Sequence, residues 1–295
     1  MTTPAASQLT PGAHAFTTAS GATLTYFVLG HGPHVLVNVA PGWGVASVLY
    51  QNTFGFLEDP FTFVHLEVRG TRGSSFPAEP EVEMSSWHMS EDVEALRIHL
   101  GVDALDGLTG HSNGGCIALW YAIRFPAHLH RLVLLDAQCL GTDDIWVPAM
   151  LAILEKHPNR DAVAAFWKWE PQTMTSDEDM LERLSAFMPL YLANAERDLA
   201  TFQRGLTTVP QYLCVQTQRV AELAHQDEAE QLDKITAKTL VIVGRQDFIC
   251  PVVVAELIAG KVKNSTLKVV EDCGHLPWIE QKDEFAAILK DFYAQ

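Results

Sequence analysis

Two runs in this chain, Leu132-Val133-Leu134-Leu135 and Leu240-Val241-Ile242-Val243, contain no polar residue. A strand with one wet face alternates apolar and polar side chains. A run without alternation reads as a strand covered on both faces, the condition of a parallel sheet layered between helices. These runs define the candidate strands Leu132–Asp136 and Leu240–Gly244. Further candidates are Thr23–Leu29, Val35–Val39, Thr62–Val68, Leu105–Thr109 and Leu267–Val270. Segments of helical period separate them, which predicts βαβ units and a mostly parallel sheet.

Three helices stand out. One runs from about Ser86 to Leu100, with Met89, Val93, Leu96 and Leu100 as its apolar stripe and Gly101 as its stop. A second starts near Asn113 and ends before Pro126. Gly114, Ala118 and Ala122 give it a small face that can lie close to a sheet. The third is C-terminal, where Phe285, Ile288, Leu289 and Phe292 share one face.

From about Cys139 to Leu232 no buried strand is evident and the pattern is helical. This stretch holds 15 acidic and 7 basic residues, half of the net charge of −16 carried by the 295-residue chain. The expected organisation is therefore a core built from 1–138 and 233–295, with 139–232 inserted as a helical cap. The acidity argues against nucleic-acid and anionic-membrane partners, which need a basic face. The five cysteines, Cys116, Cys139, Cys214, Cys250 and Cys273, are scattered and odd in number. That disfavours a disulfide framework or a zinc site and predicts reduced, buried thiols. The start, Met1-Thr2-Thr3-Pro4, has no leader-like basic and apolar pattern, and no run of apolar residues is long enough to span a bilayer. The expectation is a cytoplasmic protein, as a monomer or a homodimer, acting on a small molecule.

The chemistry concentrates in Gly110-His111-Ser112-Asn113-Gly114-Gly115, which follows the strand Leu105–Thr109 and opens the small-faced helix. This is the setting of a G-x-S-x-G nucleophile elbow. A serine at such a turn sits in strained backbone geometry, with its hydroxyl lifted clear. Bulk at Gly110 or Gly114 would collide with the adjoining strand and helix. The helix start supplies free N–H groups. A serine hydroxyl also needs a base, and the base needs a carboxylate to orient it. His275, in Glu271-Asp272-Cys273-Gly274-His275, lies after a strand at the same sheet edge, whereas His225 lies in a polar, acidic stretch and should be solvated. Two acids qualify: Asp247, directly after Leu240–Gly244, and Asp136, after Leu132–Leu135. Asp247, on the loop nearer the histidine, is favoured.

At this point the sequence resembles the α/β-hydrolase family, most closely its proline-iminopeptidase-like branch of capped serine hydrolases. The resemblance rests on the Pro41-Gly42-Trp43-Gly44 turn, the Arg69-Gly70 turn, the Ser112 elbow, Asp247 and His275. It implies the triad Ser112, Asp247 and His275. It also implies an oxyanion hole made by the N–H of Asn113 and one from Gly42 or Trp43. Two departures are visible: Ala40-Pro41-Gly42 stands where the family has His-Gly, and Glu67 opens the turn that usually starts with aspartate.

Trp43, Trp146 and Trp167 are the candidate substrate contacts, with Phe166 and Trp169 beside them. The first functional reading is hydrolysis of an ester, lactone or amide of a small apolar compound. The second is an aminopeptidase, for which Glu170, Glu196 and Asp198 could hold an ammonium group. A C–C hydrolase, a lyase or a ligand receptor on the same fold is a third. His111, Cys116 and Arg69 read as structural. His128 and His130 lack ligand partners at metal spacing, so neither metal nor cofactor is implied.

Overall fold

The structure, a computed structural model, describes residues 4–294; Met1 to Thr3, at the start that lacks a leader-like pattern, lie outside the described residues. Eight strands form one sheet: β1 (Gly12–Thr17), β2 (Thr23–Gly30), β3 (His34–Val39), β4 (Phe61–Leu66), β5 (Leu105–His111), β6 (Leu129–Leu135), β7 (Lys238–Gly244) and β8 (Ser265–Val270). Their order is β1-β2-β4-β3-β5-β6-β7-β8. β1 and β2 pair antiparallel, as do β2 and β4, and every other neighbouring pair is parallel.

The unbroken apolar runs are explained by burial on both faces. Leu132 and Leu134 belong to one core cluster, Val133 and Leu135 to the other. Val241 and Val243 likewise face away from Leu240 and Ile242. Helices Ser86–Leu100 and Asn113–Arg124 cover the first face, and Lys282–Ala294 covers the second. The Ser86–Leu100 helix starts where the Ser85 side chain accepts the His88 N–H, and it stops at Gly101, whose φ of 69° is left-handed. The helix after Ser112 is buried continuously from Asn113 to Ile123, as its small face allows.

Register brings the strand ends together. Gly110 on β5 pairs with Val39 on β3 and with Leu134 on β6, and Leu135 pairs with Ile242 on β7. The carboxyl ends of four parallel strands thus form one edge, where sites in such sheets sit. Between β6 and β7 the described chain contains helices and no strand. These are Asp143–Lys156, Arg160–Phe166, Asp177–Phe187, Ala195–Gly205 and Tyr212–Ala221. Asn159, Ser176 and Asn194 cap three of them through their side chains. The insertion packs onto the strand-end loops through Met150, Leu154, Phe187 and Leu190 against Phe248.

Two expectations need correction. β1 was not anticipated: only Phe16 is buried along it, so this edge strand carries almost no apolar signal. His225 is half-buried rather than solvated, its ring stacked on Trp87 at 5.0 Å with 3° between the planes.

Candidate active site

Ser112 follows β5 with φ 55° and ψ −126°, a conformation that non-glycine residues rarely adopt. Its N–H donates to the Leu135 carbonyl, and its carbonyl accepts from Gly115 and Gln138. The turn is tight enough to specify its glycines. A Cβ at Gly110 would lie 2.1 Å from the Gly114 carbonyl oxygen. Strained residues persist only when their surroundings over-determine them, and here both flanks do so.

His275 and Ser112 line the same cavity. His275 is held from several sides. Its Nδ1 is 2.7 Å from Asp247 Oδ2, and both residues are buried. Its N–H donates to the Tyr191 carbonyl at 2.7 Å. Asp247 Oδ1 in turn accepts the N–H groups of Ile249 and Cys250 at 2.9 and 3.1 Å. Asp136, the other candidate acid, is turned elsewhere and accepts the Gly244 N–H at 2.8 Å. Burial, with the Asp247 carboxylate beside it, pushes the Asp136 carboxyl well above the usual carboxylate range. The structure brings Asp247, and not Asp136, within hydrogen-bond distance of His275.

Asp247, Cys250 and His275 place one ligand atom each within 4.8 Å of one another. The donor set does not suit a metal. The imidazole Nδ1 is already engaged by Asp247, and burial holds the Cys250 thiol well above its ordinary pKa. Cys116, Cys139, Cys214 and Cys273 are also free and buried.

Three contributors were not visible as such in the sequence. His111, read as a packing residue, is buried with Nδ1 2.8 Å from the Tyr50 hydroxyl and Nε2 2.9 Å from the His275 carbonyl oxygen. Burial and the neighbouring His275 ring hold it well below the usual imidazole range, so it is neutral. Glu280 grips the histidine loop by accepting the N–H groups of Gly274 and Leu276, and it ties that loop to the insertion through the Ala193 N–H. Glu280 is pushed up to about 7, mainly by burial. Gln218, from the Tyr212–Ala221 helix, is the third. Its only sequence signal is four-residue spacing from Glu222 on a helix. Arg69 is structural as expected: it holds Asp92 through two hydrogen bonds of 2.7 and 2.9 Å.

Gln218 is fully buried at the centre of a polar network. Its Oε1 accepts the Trp43 N–H at 2.8 Å, and its Nε2 donates to Asn113 Oδ1 at 2.5 Å and to Glu222 Oε1 at 3.1 Å. Glu222 also accepts from the Ser86 N–H and hydroxyl, and Asn113 Nδ2 donates to Ser86 Oγ. The turn beneath is left-handed at Gly42, Trp43 and Gly44. A Cβ on Gly42 would lie 2.1 Å from Asn113 Oδ1. Of the two N–H groups considered for the oxyanion, that of Trp43 is thus engaged. That of Gly42 has no hydrogen-bond partner among the described residues.

The cavity over Ser112 measures about 300 Å³. Trp43, Trp146, Phe166, Trp169, Phe187 and Tyr191 dominate its wall. Two indole N–H groups are satisfied by the protein, that of Trp146 by the Ile249 carbonyl and that of Trp43 by Gln138 Oε1. Trp167 corrects an expectation: it is 52% exposed and is not part of the wall. It follows the Arg160–Phe166 helix, which turns Phe166 inward and Trp167 outward. None of Glu170, Glu196 and Asp198 lines the cavity either. Glu170 and Glu196 are exposed, and Asp198 is paired with Arg197 at 2.6 Å. Among the described residues, Arg219 is the one Arg, Lys, Asp or Glu in the wall.

Comparison with known proteins agrees with this fold. The sequence model described as alpha/beta hydrolase fold matches residues 35–282. The 3-oxoadipate enol-lactonase 2 of Acinetobacter baylyi is 25% identical over 282 residues, covering 93% of this chain and 96% of its own. A proline iminopeptidase of Saccharolobus solfataricus is 25% identical over 215 residues, covering 70% and 68%. Among solved structures, an alpha/beta fold family hydrolase from Bacillus anthracis superposes with a TM-score of 0.74 at 19% identity, covering 95% of this chain and 98% of that one.

Proposed function

The chain is a hydrolase of the α/β-hydrolase fold family, and from that premise we propose that it is a serine esterase or lactonase with a small, largely apolar substrate. The observation that carries the reading is the 2.7 Å bond between His275 and Asp247 at the wall of the cavity that Ser112 lines. Ser112 attacks the carbonyl carbon while His275 takes its proton. Asp247 fixes the imidazole through Nδ1 and stabilises the imidazolium. The oxyanion is received by the Asn113 N–H at the helix start and by the unpartnered Gly42 N–H; one such donor is worth roughly 10²–10³ in rate. His275 returns the proton to the leaving oxygen, and a water activated by His275 releases the acid.

The aminopeptidase reading has support from the iminopeptidase relative. The cavity wall speaks against it, because no carboxylate lines it to receive an ammonium group. Activity toward aryl esters, lactones and aminoacyl arylamides, measured side by side on purified protein, tests the choice. Turnover confined to the arylamides would overturn it. A fluorophosphonate probe tests the serine chemistry common to both.

A further inference from the structure

We propose that Arg219 anchors a carboxylate of the substrate, so that the compound cleaved at Ser112 is an ester or lactone that also carries an acid group. This inference rests on the serine-hydrolase reading and names the substrate class for that site.

The chain has eleven arginines. Ten of them donate hydrogen bonds to protein groups: Arg69, Arg72, Arg97, Arg124 and Arg131, and likewise Arg160, Arg183, Arg197, Arg204 and Arg245. Arg219 alone has neither a hydrogen-bond nor an ion-pair partner among the described residues, and it alone of the eleven lines the cavity over Ser112. Eight of the other ten pair with a carboxylate, and Arg160 and Arg204 bond to carbonyl and hydroxyl oxygens, so Arg219 is set apart by having neither kind of partner.

Helix geometry explains how it comes to be there. Val215 and Arg219 are four residues apart on Tyr212–Ala221, so they share a face, and both line the cavity. The preceding residue, Gln218, is locked into the buried network behind the Gly42–Trp43 turn. The backbone that presents Arg219 is therefore fixed from behind, while its guanidinium stays exposed to incoming ligand.

The surrounding chemistry selects the ligand. The wall is aromatic and aliphatic and holds no carboxylate, so a negative charge must come from outside. A guanidinium would repel an amine and binds a planar carboxylate through two parallel hydrogen bonds. One cation suits a monoanion; a phosphate dianion would call for more.

Two p-nitrophenyl esters of equal acyl length, the butyrate and the hemisuccinate, provide the test on the full chain. The wild-type protein should prefer the hemisuccinate in kcat/KM. In Arg219→Met the hemisuccinate-to-butyrate ratio should fall by about 10- to 100-fold, the value of a hydrogen-bonded charge. Arg219→Lys should restore part of it. A wild-type preference for the butyrate, or a ratio that Arg219→Met leaves unchanged, would overturn the proposal. If neither ester turns over and a fluorophosphonate fails to label, the hydrolase reading falls, yet binding still decides the anchor. Hexanoate should quench the cavity tryptophans at lower concentration than hexanol in the wild type and lose that advantage in Arg219→Met; equal quenching would count against it.

Discussion

Gln218 accepts the N–H of Trp43 at 2.8 Å, joining residues 175 positions apart, one on a helix of the insertion and one on the turn beside the nucleophile. The same carboxamide donates to Asn113 and to Glu222. One side chain thus holds both loops that would receive the oxyanion. Replacing it by methionine removes the acceptor of the Trp43 N–H and the donor to Asn113 Oδ1, while Glu222 keeps its bonds from Ser86; a polar group left unpaired where water cannot reach costs about 1–3 kcal/mol. Gln218→Met should unfold at lower urea concentration. Its kcat should drop by roughly tenfold with KM within about twofold, since the lost geometry serves the transition state. An unchanged kcat would reduce the network to a purely structural role.

Ser112→Ala should abolish fluorophosphonate labelling and lower kcat by roughly 10⁴- to 10⁶-fold. Mass spectrometry of the intact protein after probe treatment reads the first effect directly. Labelling that persists would place the nucleophile elsewhere.

The two acids separate cleanly. Asp247→Asn removes the charge that orients His275 and should lower kcat by roughly 10³- to 10⁴-fold. Asp136→Asn replaces a carboxyl that does not bond His275 and whose charged form burial disfavours, and the amide oxygen can still accept the Gly244 N–H. Its kcat should stay within about tenfold of wild type. The reverse ranking would move the acid to β6.

Glu280 predicts a pH effect on stability. Its carboxyl lies at about 7 in the folded protein against 4.5 as a free group, mainly because it is buried. The unfolded chain releases this proton first, so the contribution is full below about 4.5 and is lost as pH rises toward 7, a span on the order of 3 kcal/mol. His65 acts in the opposite sense, held neutral with its value lowered to about 3 by burial. The observable is therefore the difference in urea midpoint between wild type and Glu280→Gln across that window. A difference independent of pH would contradict the assignment.

Activity should also survive dialysis against a chelator. The Asp247, Cys250 and His275 cluster has the spacing of a ligand set, but the imidazole Nδ1 is engaged by Asp247 and burial disfavours the Cys250 thiolate. Loss of turnover restored by a divalent cation would show otherwise.

Much of the fold was legible because burial writes itself into the sequence. The strands covered on both faces lost their alternation, as Leu132–Leu135 shows, and the small-faced helix announced its close packing through Gly114 and Ala118. β1 was silent because an edge strand with one buried residue needs no pattern. The elbow was legible because the turn leaves no room for a Cβ at Gly110, two residues before Ser112. The neighbours of the proposed triad were not. His111 bonds through both ring nitrogens to groups brought near by the fold, and Gln218 reaches two distant segments, at Trp43 and at Asn113. Local sequence holds no trace of such contacts. Trp167 failed for a different reason: adjacent aromatics on a helix cannot all face one way, and composition does not say which turns outward.

The insertion leaves the sheet after β6 and returns at β7, and these strands are direct neighbours, with Leu135 opposite Ile242. Its two attachment points are therefore roughly one strand spacing apart, near 5 Å. A segment joined so closely at both ends can be exchanged, in principle, for another of different length without disturbing the strand order. Such a graft would bring its own wall and its own charge, and with them a new clientele. It would not bring the acceptor that steadies the turn at Trp43. Recognition in this molecule is modular up to one glutamine, and that residue marks the boundary between the exchangeable part and the fixed one.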